Sequence, residues 1–186
     1  MSFSLNDEEK KFLLELARKT IVNYFHNDNP LKVDYFSDKL KEKCGVFVTL
    51  EKHHDLRGCI GYVEGYKPLQ DAVQDNAISA AFRDPRFPSL SIEELTDLEI
   101  EISVLTPLEK VNDISEIKVG RDGLLVKKGF QQGLLLPQVA TDWGWDRTQF
   151  LEQTCRKAGL PLNAWKDKDT EIEKFSALIF RESDYM

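Results

Sequence analysis

The stretch CGVFVTLEKHHDLRGCIGYV, residues 44–63, reads as two strands joined by a turn. Val46, Val48 and Leu50 alternate with Phe47 and Thr49, the period-two pattern of a strand with one buried face. His53, His54 and Asp55 fall in the turn. On the returning strand Leu56, Gly58, Ile60 and Tyr62 face one way, and Arg57, Cys59 and Gly61 face the other. Glycine weakens a strand and packs nothing, so glycines recurring in LRGCIG, residues 56–61, mark a close approach or the floor of a site. A guanidinium and a thiol then lie on one side, with Gly61 leaving space beside them.

Working outward, Asn6 with Glu9 reads as a capping box, and Phe12, Leu13, Leu16, Ala17, Ile21 and Phe25 recur at helical spacing. A helix is expected over about residues 6–25, broken at NDNP because Pro30 restricts the residue before it. Residues 31–43 read as a loop and a short charged helix. Beyond the hairpin, Pro68 opens a helix with Leu69, Ala72, Val73, Ala77 and Ala80 along one stripe, ending near Arg83. Pro85 and Pro88 then stiffen a loop carrying Asp84 and Arg86. Ser91 with Glu94 reads as a second capping box. LEIEISVL alternates as a half-buried strand closed by Pro107, and GFQQG joins two further strands. Asp146 and Gln149 open a last helix that Gly159 stops, and IEKFSALIF reads as one late strand. Hairpins mixed with helices predict an α+β fold with mostly antiparallel pairing and flanking helices. The expected parts are a larger lobe, about 1–106 with a C-terminal strand at about 170–182, and a smaller lobe at about 107–165.

A chain of 186 residues suffices for one large domain or two lobes sharing a core. Its net charge of -7 argues against nonspecific binding to nucleic acid or to an anionic membrane, both of which need a basic field. No apolar run approaches the ~20 residues of a membrane span. MSFSLNDEEKKF has no basic stretch followed by an apolar one, so the expected location is the cytoplasm. Cys44, Cys59 and Cys155 lack CxxC spacing and read as reduced thiols, neither a disulfide framework nor a zinc site. His53 and His54 stand without a ligand cluster, so no metal and no cofactor is expected. No GxSxG elbow, HExxH pair or phosphate-binding loop is present.

Each candidate residue has two readings. Cys59 is a nucleophile favoured by a nearby guanidinium and by backbone amides freed by the glycines, or a small buried hydrophobe. Arg57 grips a carboxylate or phosphate, or makes a salt bridge to Asp84 or another acidic residue. Asp84 and Arg86 pair within the fold, or a stiff loop presents them to a ligand. Trp143 and Trp145 line a cleft, or cover the core beside the next helix.

LRGCIG, NAISAAFRDPRFPSL, LEIEISVLTPLE, GRDGLLV, GLLLPQVA and FLEQTCRKAGL, in this order and over nearly the whole chain, resemble the motifs of the AMMECR domain family. The resemblance implies a single domain of two unequal lobes with a cleft between them, and it supplies no established activity. Arg57, Gly58, Cys59 and Gly61 match the family signature. Asp84, Arg86, Phe87 and Pro88 match its arginine-and-proline loop, and Pro137, Gln138 and Val139 its late strand motif. Some relatives carry a carboxylate in place of Gln138, which leaves this side chain a hydrogen-bonding role. Prokaryotic members are often grouped with a Memo-like protein and a radical-SAM-like protein, which implies a shared pathway. The expected function is binding of a small anionic ligand, or an anionic group on a larger substrate, by Arg57, Gly58, Gly61, Asp84, Arg86 and Gln138 in the cleft, with thiol chemistry through Cys59. The alternative is a non-catalytic module whose cleft receives a protein segment. The expected state is a monomer or a homodimer.

Overall fold

Capping and periodicity place the first element where the sequence puts it. In a computed structural model that describes residues 3–27 and 29–186, α1 spans Asp7–His26. The Asn6 side chain accepts from the Glu9 N–H at 2.8 Å and the Glu9 carboxylate accepts from the Asn6 N–H at 3.0 Å. Such reciprocal capping is worth about 1 kcal/mol. Leu13, Leu14, Ala17 and Ile21 form its buried stripe.

The chain divides into two units, one holding the described residues up to Leu105 with Leu178–Met186, the other Thr106–Ala177. In the first unit α1 is followed by β1 (Gly45–Lys52), β2 (Asp55–Tyr62), α2 (Leu69–Phe82) and β3 (Leu98–Leu105). β1 pairs antiparallel with both β2 and β3, and its register sets Val46 against Val104, Val48 against Ile102 and Leu50 against Ile100. All six side chains are fully buried, each contributing about 1.5–3 kcal/mol of burial. α2 packs on β1 and β2 and also against α1, so the apolar face of the sheet is roofed by helices.

The second unit runs through β4 (Glu109–Lys110), β5 (Gly123–Lys128), β6 (Gln131–Leu135), α3 (Pro137–Asp142), α4 (Arg147–Lys157) and β7 (Glu171–Phe175). Its four-stranded sheet has the order β4-β7-β5-β6, antiparallel at every pairing. Leu124, Val126, Ala140, Phe150, Leu151 and Cys155 make its core. β8 (Ala177–Arg181) returns to the first sheet, whose order is β2-β1-β3-β8.

Three sequence expectations change. IEKFSALIF is two strands rather than one: β7 belongs to the second sheet and β8 to the first, with Ser176 between them. Its apolar residues, interrupted by Glu173, Lys174 and Ser176, fit either sheet and carry no mark of the crossing. Pro137, Gln138 and Val139 open α3 and do not form a strand. Proline lacks the N–H a ladder needs and is pre-set for a first helical turn. The alternation along β2 is also interrupted. Leu50 faces Gly58 while Glu51 faces Leu56, so Arg57 is an extra residue at a β-bulge. A bulge re-aims its side chain and adds twist.

His53 and His54 alone join β1 to β2, with Lys52 paired to Asp55. Both have positive φ, 52° and 69°. A two-residue turn of this kind favours Asn-Gly, and an ordinary side chain there costs about 1 kcal/mol. The double variant His53→Asn/His54→Gly should therefore gain about 1–2 kcal/mol in denaturant unfolding, with the slope unchanged. No gain would mean that the contact of His53 Nε2 with Asp97, 3.7 Å, offsets the strain.

Candidate functional site

Gly58 explains the first glycine of LRGCIG. A Cβ there would lie 2.1 Å from the Ala80 carbonyl oxygen, so α2 crosses β2 at backbone contact. The space beside Gly61 is occupied: a Cβ would meet the Val46 carbonyl at 2.3 Å and the Phe47 ring at 2.5 Å. Gly61 thus seats Phe47, the residue it pairs with across the strands.

β2 is an edge strand, and the loop after α2 closes its edge at Cys59. Asp84 is buried, with its side chain 1% exposed. Its carboxylate accepts from the Cys59 N–H at 3.0 Å and from the Arg86 backbone N–H at 3.1 Å. Arg86 grips the same carboxylate through Nε at 3.0 Å and Nη2 at 2.8 Å, and Nη2 also donates to the Cys59 carbonyl at 3.2 Å. The loop is a turn in which the Phe87 N–H donates to the Asp84 carbonyl at 3.1 Å, with Pro85 at the position that proline favours. The Arg86 guanidinium and these N–H groups hold the Asp84 carboxyl well below the usual carboxylate range against the opposing effect of burial. The Cys59 N–H is therefore committed to Asp84 and is no oxyanion donor.

Because both backbone groups of Cys59 point outward, Thr49–Cys59 is a non-hydrogen-bonded pair, the kind in which side chains come closest. The Thr49 hydroxyl donates to the Cys59 sulfur at 3.2 Å. Cys59 is partly exposed, whereas Cys44 and Cys155 are buried. Burial pushes the Cys44 thiol up to about 11 and raises that of Cys155 as well.

Arg57 turns to a partner outside the loop. Its Nε and Nη2 donate to the two Glu94 oxygens at 2.9 and 3.0 Å, and Lys52 adds a contact at 3.2 Å. The same carboxylate caps the turn beginning at Ser91, whose N–H it accepts at 3.0 Å. The Arg57 guanidinium is the main reason that the Glu94 carboxyl is lowered to about 2. The Arg57 side chain is 11% exposed, and its Nη1 is buried with no acceptor among the described residues. The cation in hydrogen-bond contact with Cys59 is thus Arg86, and Arg57 is engaged by Glu94. Phe87 packs against both guanidiniums, their carbons 5.9 Å (Arg57) and 5.5 Å (Arg86) from the ring centre.

Of the residues singled out in the sequence, the first unit brings together Arg57, Gly58, Cys59, Gly61, Asp84 and Arg86. Gln138 stands exposed in the first turn of α3 in the second unit. Trp143 and Trp145 stack there at 6.1 Å, with Trp143 largely exposed. Sequence reasoning missed Thr49 as the thiol's contact and read Glu94 only as a cap. A carboxylate three residues after a serine carries no signal of the arginine it will meet. A cavity of about 740 Å3 between α1, the turn at 95–99 and the C-terminal residues contains none of the singled-out side chains. Its Arg18 is already bound to Glu182 at 2.5 and 2.7 Å.

The geometry is that of an α+β protein with a partly exposed thiol on a closed sheet edge and two carboxylate-bound arginines beside it. Residues 14–180 match the family model AMMECR1, and the chain belongs to that family. It is 48% identical over 185 residues to a protein of Methanothermobacter thermautotrophicus, covering 96% of each chain. A Pyrococcus furiosus protein is 47% identical, with 97% of this chain and 91% of that one aligned. The crystal structure of an uncharacterised protein from Pyrococcus horikoshii is similar at a TM-score of 0.83 and 46% identity, over 96% of this chain and 93% of that one. Among the described residues no helix is long and apolar enough to cross a membrane.

Both depressed carboxyls predict acid sensitivity. Each ionises more readily folded than unfolded, so its stabilisation is complete above about pH 4–5 and is lost as pH falls towards 2. Asp84→Asn should cost about 2–3 kcal/mol at pH 7, since it removes the charge that Arg86 and the Cys59 N–H share. Its deficit relative to wild type should shrink below pH 4 in urea unfolding. A deficit independent of pH would show that shape, not charge, holds the loop.

Proposed function

We propose that the protein binds a small molecule carrying an anionic group beside β2 and that the Cys59 thiol is its reacting group. The observation that carries this reading is Nη1 of Arg57. Two of the three guanidinium nitrogens are held by Glu94, and the third is buried without a protein acceptor. A buried donor left unmet is costly in a purely structural ion pair, and an incoming oxygen atom satisfies it. The thiol supports the reading, since Cys59 is the one partly exposed cysteine and Thr49 already donates to its sulfur. Asp84 and Arg86 fix the backbone at Cys59 and so set the direction of the sulfur.

Mass-resolved alkylation of the native protein tests both halves. Cys59 should react with iodoacetamide well before Cys44 and Cys155 near neutral pH. The anionic reagent iodoacetate should gain at Cys59 relative to neutral iodoacetamide. Arg57→Met should reduce that gain about tenfold, the size of one charged hydrogen bond. Lys52 remains on Glu94 in this variant, so folding should persist and a thermal melt verifies it. If Cys59 is the slowest of the three and Arg57→Met changes nothing, the thiol is a core group and a non-catalytic binding module becomes the better reading.

A further inference from the structure

Arg57 and Arg86 are bound in the same way. Each gives Nε and Nη2 to one buried or nearly buried carboxylate, Glu94 for Arg57 and Asp84 for Arg86. In each, Nη1 makes no hydrogen bond to any described residue; in Arg57 it is buried, and in Arg86, whose side chain is 55% exposed, it is open to solvent. Both guanidiniums lean on the one ring of Phe87, at 5.9 and 5.5 Å. Two like charges gathered at one ring repel each other, and their carboxylates offset this only in part because Lys52 adds a third cation. Within these ion pairs three cations, Arg57, Arg86 and Lys52, meet two carboxylates. The fold holds the two arginines in place by ring packing and by side-on pairing that leaves the same end of each guanidinium unoccupied.

We propose that the ligand carries two anionic groups, one for each Nη1, and that Phe87 is the positioning residue that sets the spacing of the two arginines. This rests on the reading of β2 as a ligand site and goes further in naming the class, a small doubly anionic molecule such as a dicarboxylate or a linked diphosphate. Each planar guanidinium end presents two N–H groups, which suits a carboxylate or phosphoryl oxygen better than a neutral acceptor. Phe87 acts through the arginines and touches no reacting atom.

The test compares matched probes, glutarate with butyrate and pyrophosphate with orthophosphate. The readouts are protection of Cys59 from iodoacetamide and the shift in melting temperature. In wild type the member of each pair with two anionic groups should act at about tenfold lower concentration. Phe87→Leu should abolish that advantage, while Phe87→Tyr, which keeps the ring, should retain it. Equal potency within each pair in wild type overturns the proposal, and so does a Phe87→Leu variant that weakens both members alike. The wild-type comparison decides the matter even if Phe87→Leu does not fold. The iodoacetate preference at Cys59 needs only Arg57. If it is present and the two-group probes act no better than the one-group probes, the single-anion reading stands and this one falls. If it is absent and no probe acts, both fall.

Discussion

The Asp84 carboxylate meets the Cys59 N–H while its bound partner, Arg86, meets the Cys59 carbonyl. An edge strand presents one row of backbone groups with no neighbour. Here two side chains from one tight turn stand in for the missing strand at a single residue. The charge on the carboxylate makes its bond to the N–H stronger than a neutral ladder bond. It also ties the turn to the sheet, because Arg86 cannot release Asp84 without leaving a buried charge short of donors.

Much of the local structure follows from that contact. With its backbone turned outward, Cys59 occupies a non-hydrogen-bonded position, which brings its sulfur to the Thr49 hydroxyl. The same strand lies against α2 so closely that Gly58 admits no side chain. The bulge at Arg57 sits between these constraints and sends the guanidinium to Glu94 rather than along the regular alternation. Phe87, the last residue of the turn, then reaches both arginines.

The two arginines divide their donors between the fold and ends with no partner among the described residues. The Nε and Nη2 edges of the arginines serve the fold, where they lower the Asp84 and Glu94 carboxyls and lock the loop and the following turn. Their Nη1 atoms make no hydrogen bond to any described residue. Substitutions at Asp84 or Glu94 therefore bear on folding first, and substitutions at Phe87 on the geometry of the free ends.

The sequence by itself determined the local elements. Asn6 with Glu9 and Asp146 with Gln149 mark helix starts by side chains that meet their own backbone three residues away, and both boxes form. Val46, Val48 and Leu50 with Ile100 and Ile102 mark buried strand faces through period two. Arg57, Cys59, Asp84 and Arg86 could be singled out because cation, thiol and stiff loop are unusual company. Only the tertiary structure decided which charge meets which. Arg57 goes to Glu94 and not to Asp84, since a bulge, invisible to alternation, turns it. Gly61 seats Phe47, a contact set by strand register and not by spacing along the chain. IEKFSALIF divides between two sheets because its apolar residues satisfy either one, and only the placement of both cores selects the break at Ser176. Local signals act within one turn or one strand, whereas ion pairing and sheet membership depend on residues tens of positions apart.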